Sequence, residues 1–162
     1  MIELTHLHAS LVGEIRDLYG AEKQLLSTLA RVAPQLRDAA VRDLASRLLN
    51  DTGNQLWRLE EVFTLLDEEP GQRHSLGMAR ILDTRKEPRD RGLVSADASL
   101  AARAGRAVHF LAAVHSTAAA RARALDYDDV ALLLHESADE ALTASRRLIT
   151  LAAPAPGPSV AM

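Results

Sequence analysis

Apolar residues recur along the first part of the chain at steps of three and four: Leu4, Leu7, Leu11, Ile15, Leu18, then Leu25, Leu29, Val32 and Leu36. These steps keep one stripe on one face of a helix. Between Leu18 and Leu25 the stripe position is taken by Glu22. A carboxylate there must find a partner or a proton, because unpaired burial of its charge is costly. The same period marks three more long segments. One carries Val41, Leu44, Leu48, Leu59, Val62 and Leu66. A later one carries Leu100, Ala104, Val108, Leu111, Ala118, Ala122 and Leu125. The last carries Val130, Leu133, Ala144, Leu148 and Leu151.

Punctuation between the stripes sets the organisation. Thr5 is placed to cap a first helix over 5–32, and Pro34 marks the turn after it. Asp38 caps the second helix, which Glu-Glu-Pro-Gly at 68–71 ends. The third helix spans about 97–125, a tight turn follows at 126–129, and the fourth helix runs to about 152. The Pro-rich tail, 154–162, cannot continue a helix and is expected to be disordered, leaving one domain over 1–153. Tight turns make two antiparallel hairpins. The roughly 30 residues between them, with a short helix expected over 75–86, exceed what adjacent antiparallel helices need. A helix of ~28 residues is ~42 Å long, and the connection can cover that length. The expectation is all-α: a ferritin-like four-helix bundle with a long crossover carrying a short extra helix, preferred over a simple up-down-up-down bundle.

Composition supports helix over sheet, since aromatics are only 3% and Ala, Leu and Arg are abundant. The net charge of −3 calls for neither nucleic acid nor a membrane surface. Without cysteine there is no disulfide, thiolate metal site or cysteine nucleophile. No secretory signal and no bilayer-spanning apolar run is seen, so a soluble, cytoplasmic protein is expected. Phosphate loops and nucleophile elbows are missing too.

Counting outward from each turn places several polar residues at one level. Glu22 lies about fourteen residues before the first turn, and the facing level of the second helix holds Asp51, Thr52 and Gln55. Glu140 lies about fourteen residues after the second turn, with Glu136 one turn away, and His115 stands at the matching level of the third helix. Inward carboxylates and histidines at mid-bundle are how helical bundles hold iron or manganese. The candidate ligands are therefore Glu22, Glu140, His115 and Asp51. The alternatives are a surface role for Asp51, Glu136 and Glu140, and a hydrogen-bonded core role for His115. The Glu-x-x-His pairs of a two-metal centre do not occur in mid-helix; Glu3-x-x-His6 lies at the start of the chain.

Asp17-Leu-Tyr-Gly-Ala-Glu-Lys-Gln-Leu25 resembles the first-helix motif of the YciF-type family of bacterial ferritin-like stress proteins. Thr52-x-x-Gln55-x-x-Arg58-Leu59-Glu60-x-x-Phe63 resembles its second-helix motif. Met78, and Leu134-x-x-x-x-Asp139-Glu140 with Leu148, also fit. The resemblance implies a ferritin-like bundle, commonly dimeric, tied to stress responses and without a settled activity. It implies that Glu22 and Glu140 match family carboxylates and that Gln55 stands where His occurs in relatives. The family's paired acids of the third helix fall on Val108 and Leu111, the second acid of the last helix falls on Ala141, and His115 falls where relatives tend to have an aromatic. A two-metal centre would thus lack its bridging ligands.

Two readings remain. In the first, the site is degenerate and holds no cofactor. Glu22 is then protonated, water-bridged or bonded to Tyr19, Gln55 or His115, and the protein acts without catalysis, as a homodimer or on a protein partner. The second is an oxidative-stress protein holding one iron, manganese or zinc ion. A weaker signal is an acid-free stretch from 98 to 125 with Arg103, Arg106, Arg121 and Arg123, which could meet phosphates or an acidic partner. The blander account of that stretch is a helix face paired with acids elsewhere in the bundle, and nucleic acid is not the expected partner.

Overall fold

A computed structural model describes residues 1–85 and 95–153. Four long helices form the bundle: α1 (Ile2–Val32), α2 (Ala39–Leu65), α4 (Ala96–Ala124) and α5 (Asp128–Ala152). The short α3 (Leu76–Leu82) lies in the crossover. It is shorter than the expected 75–86 and is capped by Ser75, whose hydroxyl accepts from Met78 N–H. Residue 86 and the tail at 154–162, expected to be disordered, lie outside the described residues. No helix among the described residues is long and apolar enough to cross a membrane.

The first helix begins earlier than expected, at Ile2, and Thr5 instead bonds back to the Met1 carbonyl. Asp38 caps α2 as its type suggests, accepting from Val41 N–H at 3.0 Å. Both α2 and α4 end in the same way. Asp67 and Asp126 take positive φ, 54° and 58°, where glycine is usual. Glu68 N–H then reaches Phe63 O, and Tyr127 N–H reaches Ala122 O, closing the last carbonyls of each helix. Asp tolerates this left-handed backbone better than most residues.

Contacts at the two ends of the bundle fix the topology. Asp97, in the first turn of α4, accepts the backbone N–H groups of Arg37 and Asp38 at 2.8 and 2.6 Å. The start of α4 therefore sits beside the α1/α2 turn. At the opposite end Glu68, just past α2, accepts from Arg16 at 3.0 Å, and His8 lies 3.1 Å from the Tyr127 hydroxyl. The crossover thus starts at one end of the bundle and delivers the chain to the other, as the long connection predicts. The core is Leu-rich between α1 and α2, with Leu11, Ile15, Leu18, Leu25, Leu29, Leu48 and Leu59. It is Ala-rich between α4 and α5, where Ala104, Ala118, Ala122, Ala131, Ala138 and Ala141 let the two backbones approach closely.

The crossover is strapped onto α1. Gln24 Oε1 accepts from Ser75 N–H at 2.8 Å, while its amide donates to Ser75 O at 3.1 Å. One turn back, Gly20 lets the Arg73 carbonyl lie directly on the helix; a β-carbon there would stand 2.1 Å from that oxygen. Replacing a mid-helix glycine by alanine ordinarily gains about 0.5–1 kcal/mol. At Gly20 the sign should reverse, with a loss of about 1–3 kcal/mol from the backbone clash. Gly53, whose added β-carbon meets nothing within 4 Å, should show the ordinary gain. Urea melts of Gly20→Ala and Gly53→Ala measure both, and equal effects would count against the strap.

Candidate functional site

Glu22 and His115 meet in the centre of the bundle, both 0% exposed. His115 Nε2 and Glu22 Oε1 are 2.9 Å apart and share a hydrogen bond. Burial pushes the Glu22 carboxyl above its ordinary range; the bond from His115 opposes this and the nearby Glu140 adds to it. A proton between Oε1 and Nε2 serves both groups, whichever side carries it. The other ends of the pair, Glu22 Oε2 and His115 Nδ1, have no hydrogen-bond partner among the described residues, nor has the buried Thr52 hydroxyl.

Glu140 belongs to a second cluster, at the α2/α5 boundary. Arg58 grips it with two bonds, Nη2 to Oε1 at 2.6 Å and Nη1 to Oε2 at 2.8 Å. This parallel fork is the strong geometry for an arginine–carboxylate pair. Gln55 donates to Oε2 at 3.3 Å, Arg58 also reaches Ser137 at 3.3 Å, and Glu136 stands 3.5 Å from Arg58 Nε. The Arg58 guanidinium holds the Glu140 carboxyl below the usual carboxylate range. Asp51 is part-buried on the same side, beside Arg47 and Arg147 in a cleft of about 470 Å³ between α2 and α5. Burial, then Glu140, raises its carboxyl.

The structure thus brings two of the four candidate ligands together, Glu22 and His115, and ties Glu140 to a cation of the protein's own. Among the described residues no three His, Asp or Glu side chains are grouped so as to hold a metal ion. Val108 and Leu111, onto which the resemblance puts the family's third-helix acids, are core residues at 2% and 1% exposure. These residues do not fit a two-metal centre. The residue missed in the sequence was Arg58. Two signals pointed to it: it stands in the second-helix motif, and it is the only Lys or Arg between Arg47 and Arg73, in a helix with several acids. The arginine stretch of α4 does not act as one face. Arg103 is buried, and Arg121 bonds Glu14 at 2.8 Å and Ser10 at 3.1 Å.

A family profile described as a domain of unknown function, DUF892, matches residues 6–156. The chain belongs to the DUF892 family. Two solved structures share its fold. The E. coli stress protein YciF is 24% identical, with 90% of this chain and 94% of that chain covered and a TM-score of 0.75. YcfI of Rhodopseudomonas palustris is 26% identical, with 89% and 93% covered and a TM-score of 0.80. No curated protein matches in sequence. The protein is thus a DUF892 chain with the YciF-like, ferritin-like bundle fold.

The two motifs quoted from this DUF892 sequence now divide by task. In the first, only Glu22 supplies a polar group to the core; Gly20 and Gln24 hold the crossover, and Asp17 pairs with Arg73 at 3.2 Å. In the second, Gln55 and Arg58 hold Glu140. Glu60 accepts from Tyr19 at 2.9 Å, and Phe63 meets the Tyr19 ring edge-on at 5.9 Å between centroids.

The two carboxyls should affect stability with opposite pH dependence. Glu22 is raised when folded, so its folded state binds more protons than the unfolded chain and stability falls as pH rises through its folded pKa. Glu22→Gln removes that dependence, so its stability relative to the parent should increase from acid to neutral pH. Glu140 is lowered, so its contribution is present above the unfolded carboxylate range and lost as pH falls through the folded pKa. Glu140→Gln should cost about 1 kcal/mol at neutral pH, reduced from a fully buried pair by solvent screening, and less in acid. Denaturant melts across pH 3–8 read both slopes (~pH 3–8 brackets the carboxylate range), and slopes of the same sign would contradict the assignment.

Proposed function

We propose that this chain is a stress-associated ferritin-like bundle with a degenerate metal site. It acts without catalysis, in the cytoplasm, by self-association as a homodimer or by binding a protein partner. The observation that carries this reading is the Arg58–Glu140 fork. A guanidinium supplies the charge that a metal would otherwise give that carboxylate, and Glu22 is served by His115. Buried charges are retained when they are paired in this way. The stress association follows the description of E. coli YciF and its shared fold.

The second reading is an oxidative-stress protein with one iron, manganese or zinc ion among Glu22, Glu140, His115 and Asp51. It is favoured by the unpartnered Glu22 Oε2 and His115 Nδ1. Such an ion would have to displace the Glu22–His115 bond or the Arg58 fork to gain a third ligand.

One experiment separates the two. Purified apo-protein is incubated in turn with Fe²⁺, Mn²⁺ and Zn²⁺, desalted, and analysed for bound metal. Retention below about a tenth of an equivalent, with a melting temperature indifferent to chelator, is expected, because an ion bound to the folded state alone would raise stability. Retention near one equivalent that Glu22→Ala abolishes would establish the metal reading instead. Sedimentation of the same apo-protein at twice the chain mass is expected for the homodimer; a monomer would leave the protein-partner form.

A further inference from the structure

A groove of about 710 Å³ lies between α1 and the segment formed by the strap and α3, and Lys23, Arg31, Arg73 and Arg85 line it with Asp83. We propose that this groove binds a chain of linked phosphoryl groups, the chemistry shared by free polyphosphate and the triphosphate of a nucleotide. The inference is independent of the bundle interior and of any metal there.

The α1 wall presents Lys23, Ser27 and Arg31 at successive steps of four, hence on one helix face. Lys23 and Arg31 are exposed and are in no ion pair among the described residues. The Lys23 ammonium rests 4.6 Å from the centroid of the Tyr19 ring, which steadies it without neutralising it. The facing wall is balanced. Arg73 pairs with Asp17 at 3.2 Å, and Arg85 takes both oxygens of Asp83, at 2.9 and 3.0 Å. Among the described residues Asp83 is the only carboxylate lining the groove, and Arg85 pairs with it. Among the described residues the positive charges of Lys23 and Arg31 are therefore left over, in a chain whose net charge is −3. Thr28 and Gln72 add neutral donors along the same groove.

The spacing selects the ligand. Eight residues of helix separate Lys23 from Arg31, ~12 Å along the axis. An anion that meets both without drawing the side chains together is extended and charged along its length, with an acceptor near the Ser27 hydroxyl. Orthophosphate reaches one cation at a time. Lys and Arg both suit phosphoryl oxygens, the first as a point charge and the second as a fork. The Tyr19 ring is covered by Lys23, and the His74 imidazole in the groove lies 3.4 Å from the Gln24 amide, so recognition rests on the cations and the phosphates rather than on a stacked base.

Isothermal titration of the full chain with sodium tripolyphosphate, ATP and orthophosphate tests this. Tripolyphosphate should bind at one site at least about tenfold more tightly than orthophosphate, and added salt should weaken it. Lys23→Ala and Arg31→Ala should each weaken it by about five- to tenfold, the loss of one charge-assisted contact. Both side chains are exposed, so unchanged melting curves should accompany the loss. Arg106→Ala, on the exposed face of α4, should leave binding as it was. Equal affinity for ATP and tripolyphosphate would identify the phosphate chain alone as the recognised group, and tighter ATP binding would identify the nucleotide as its source. No binding of either at millimolar concentration, or binding that Arg106→Ala weakens as much as Lys23→Ala, would overturn the proposal.

Discussion

A carboxyl group in an apolar helix layer must be answered from within the protein, and much of this bundle's interior follows from how Glu22 is answered. His115 approaches from α4, three helices further along the chain, and bonds to one oxygen. That contact fixes the axial level of α4 against α1. Beside it the α4/α5 interface is built from alanine, which packs closely but offers few features that would define a register. A hydrogen bond between two fully buried groups is directional in a way that alanine packing is not.

Glu140 shows the other solution to the same constraint. Its position at the α2/α5 boundary allows Arg58 to bury most of its stem and lay its guanidinium against both carboxylate oxygens. The polar layer therefore holds two pairs, and in the first of them Glu22 Oε2 and His115 Nδ1 have no partner among the described residues. Two acids at about the same level of the bundle have been given a proton-sharing imidazole in one case and a permanent cation in the other. Their carboxyl groups are consequently displaced in opposite directions from the ordinary range.

Periodicity made the four helices legible, because each buries one stripe and the stripe repeats. Connection length made the crossover legible, and the Asp97 contacts at one end and the Glu68 contacts at the other agree with it. Glu22 stood out as a break in an otherwise apolar series, and counting from the turns placed it level with His115. The Arg58 fork was not legible to the same degree. Arg58 flanks its stripe, and whether such a side chain turns inward depends on the rotamer and on the facing helix. Asp51 illustrates the converse: its level was read correctly, yet its side chain lies among arginines at the boundary. The roles of Gly20 and Gln24 were hidden for another reason. Their partners are backbone atoms of a segment with no periodicity, so no pattern in either stretch announces the contact.

The grip of α1 on the strap also bears on how the chain reaches its fold. Each hairpin joins neighbouring segments and can form from local contacts, whereas bringing the hairpins together closes a much longer loop and carries the larger entropic penalty. Gln24 and Gly20 hold the connecting segment against the first hairpin, before the chain reaches α4. The second hairpin is then tethered near its own docking face. That tether favours association within one molecule over the exchange of hairpins between two, the hazard that any long connection between separable units carries.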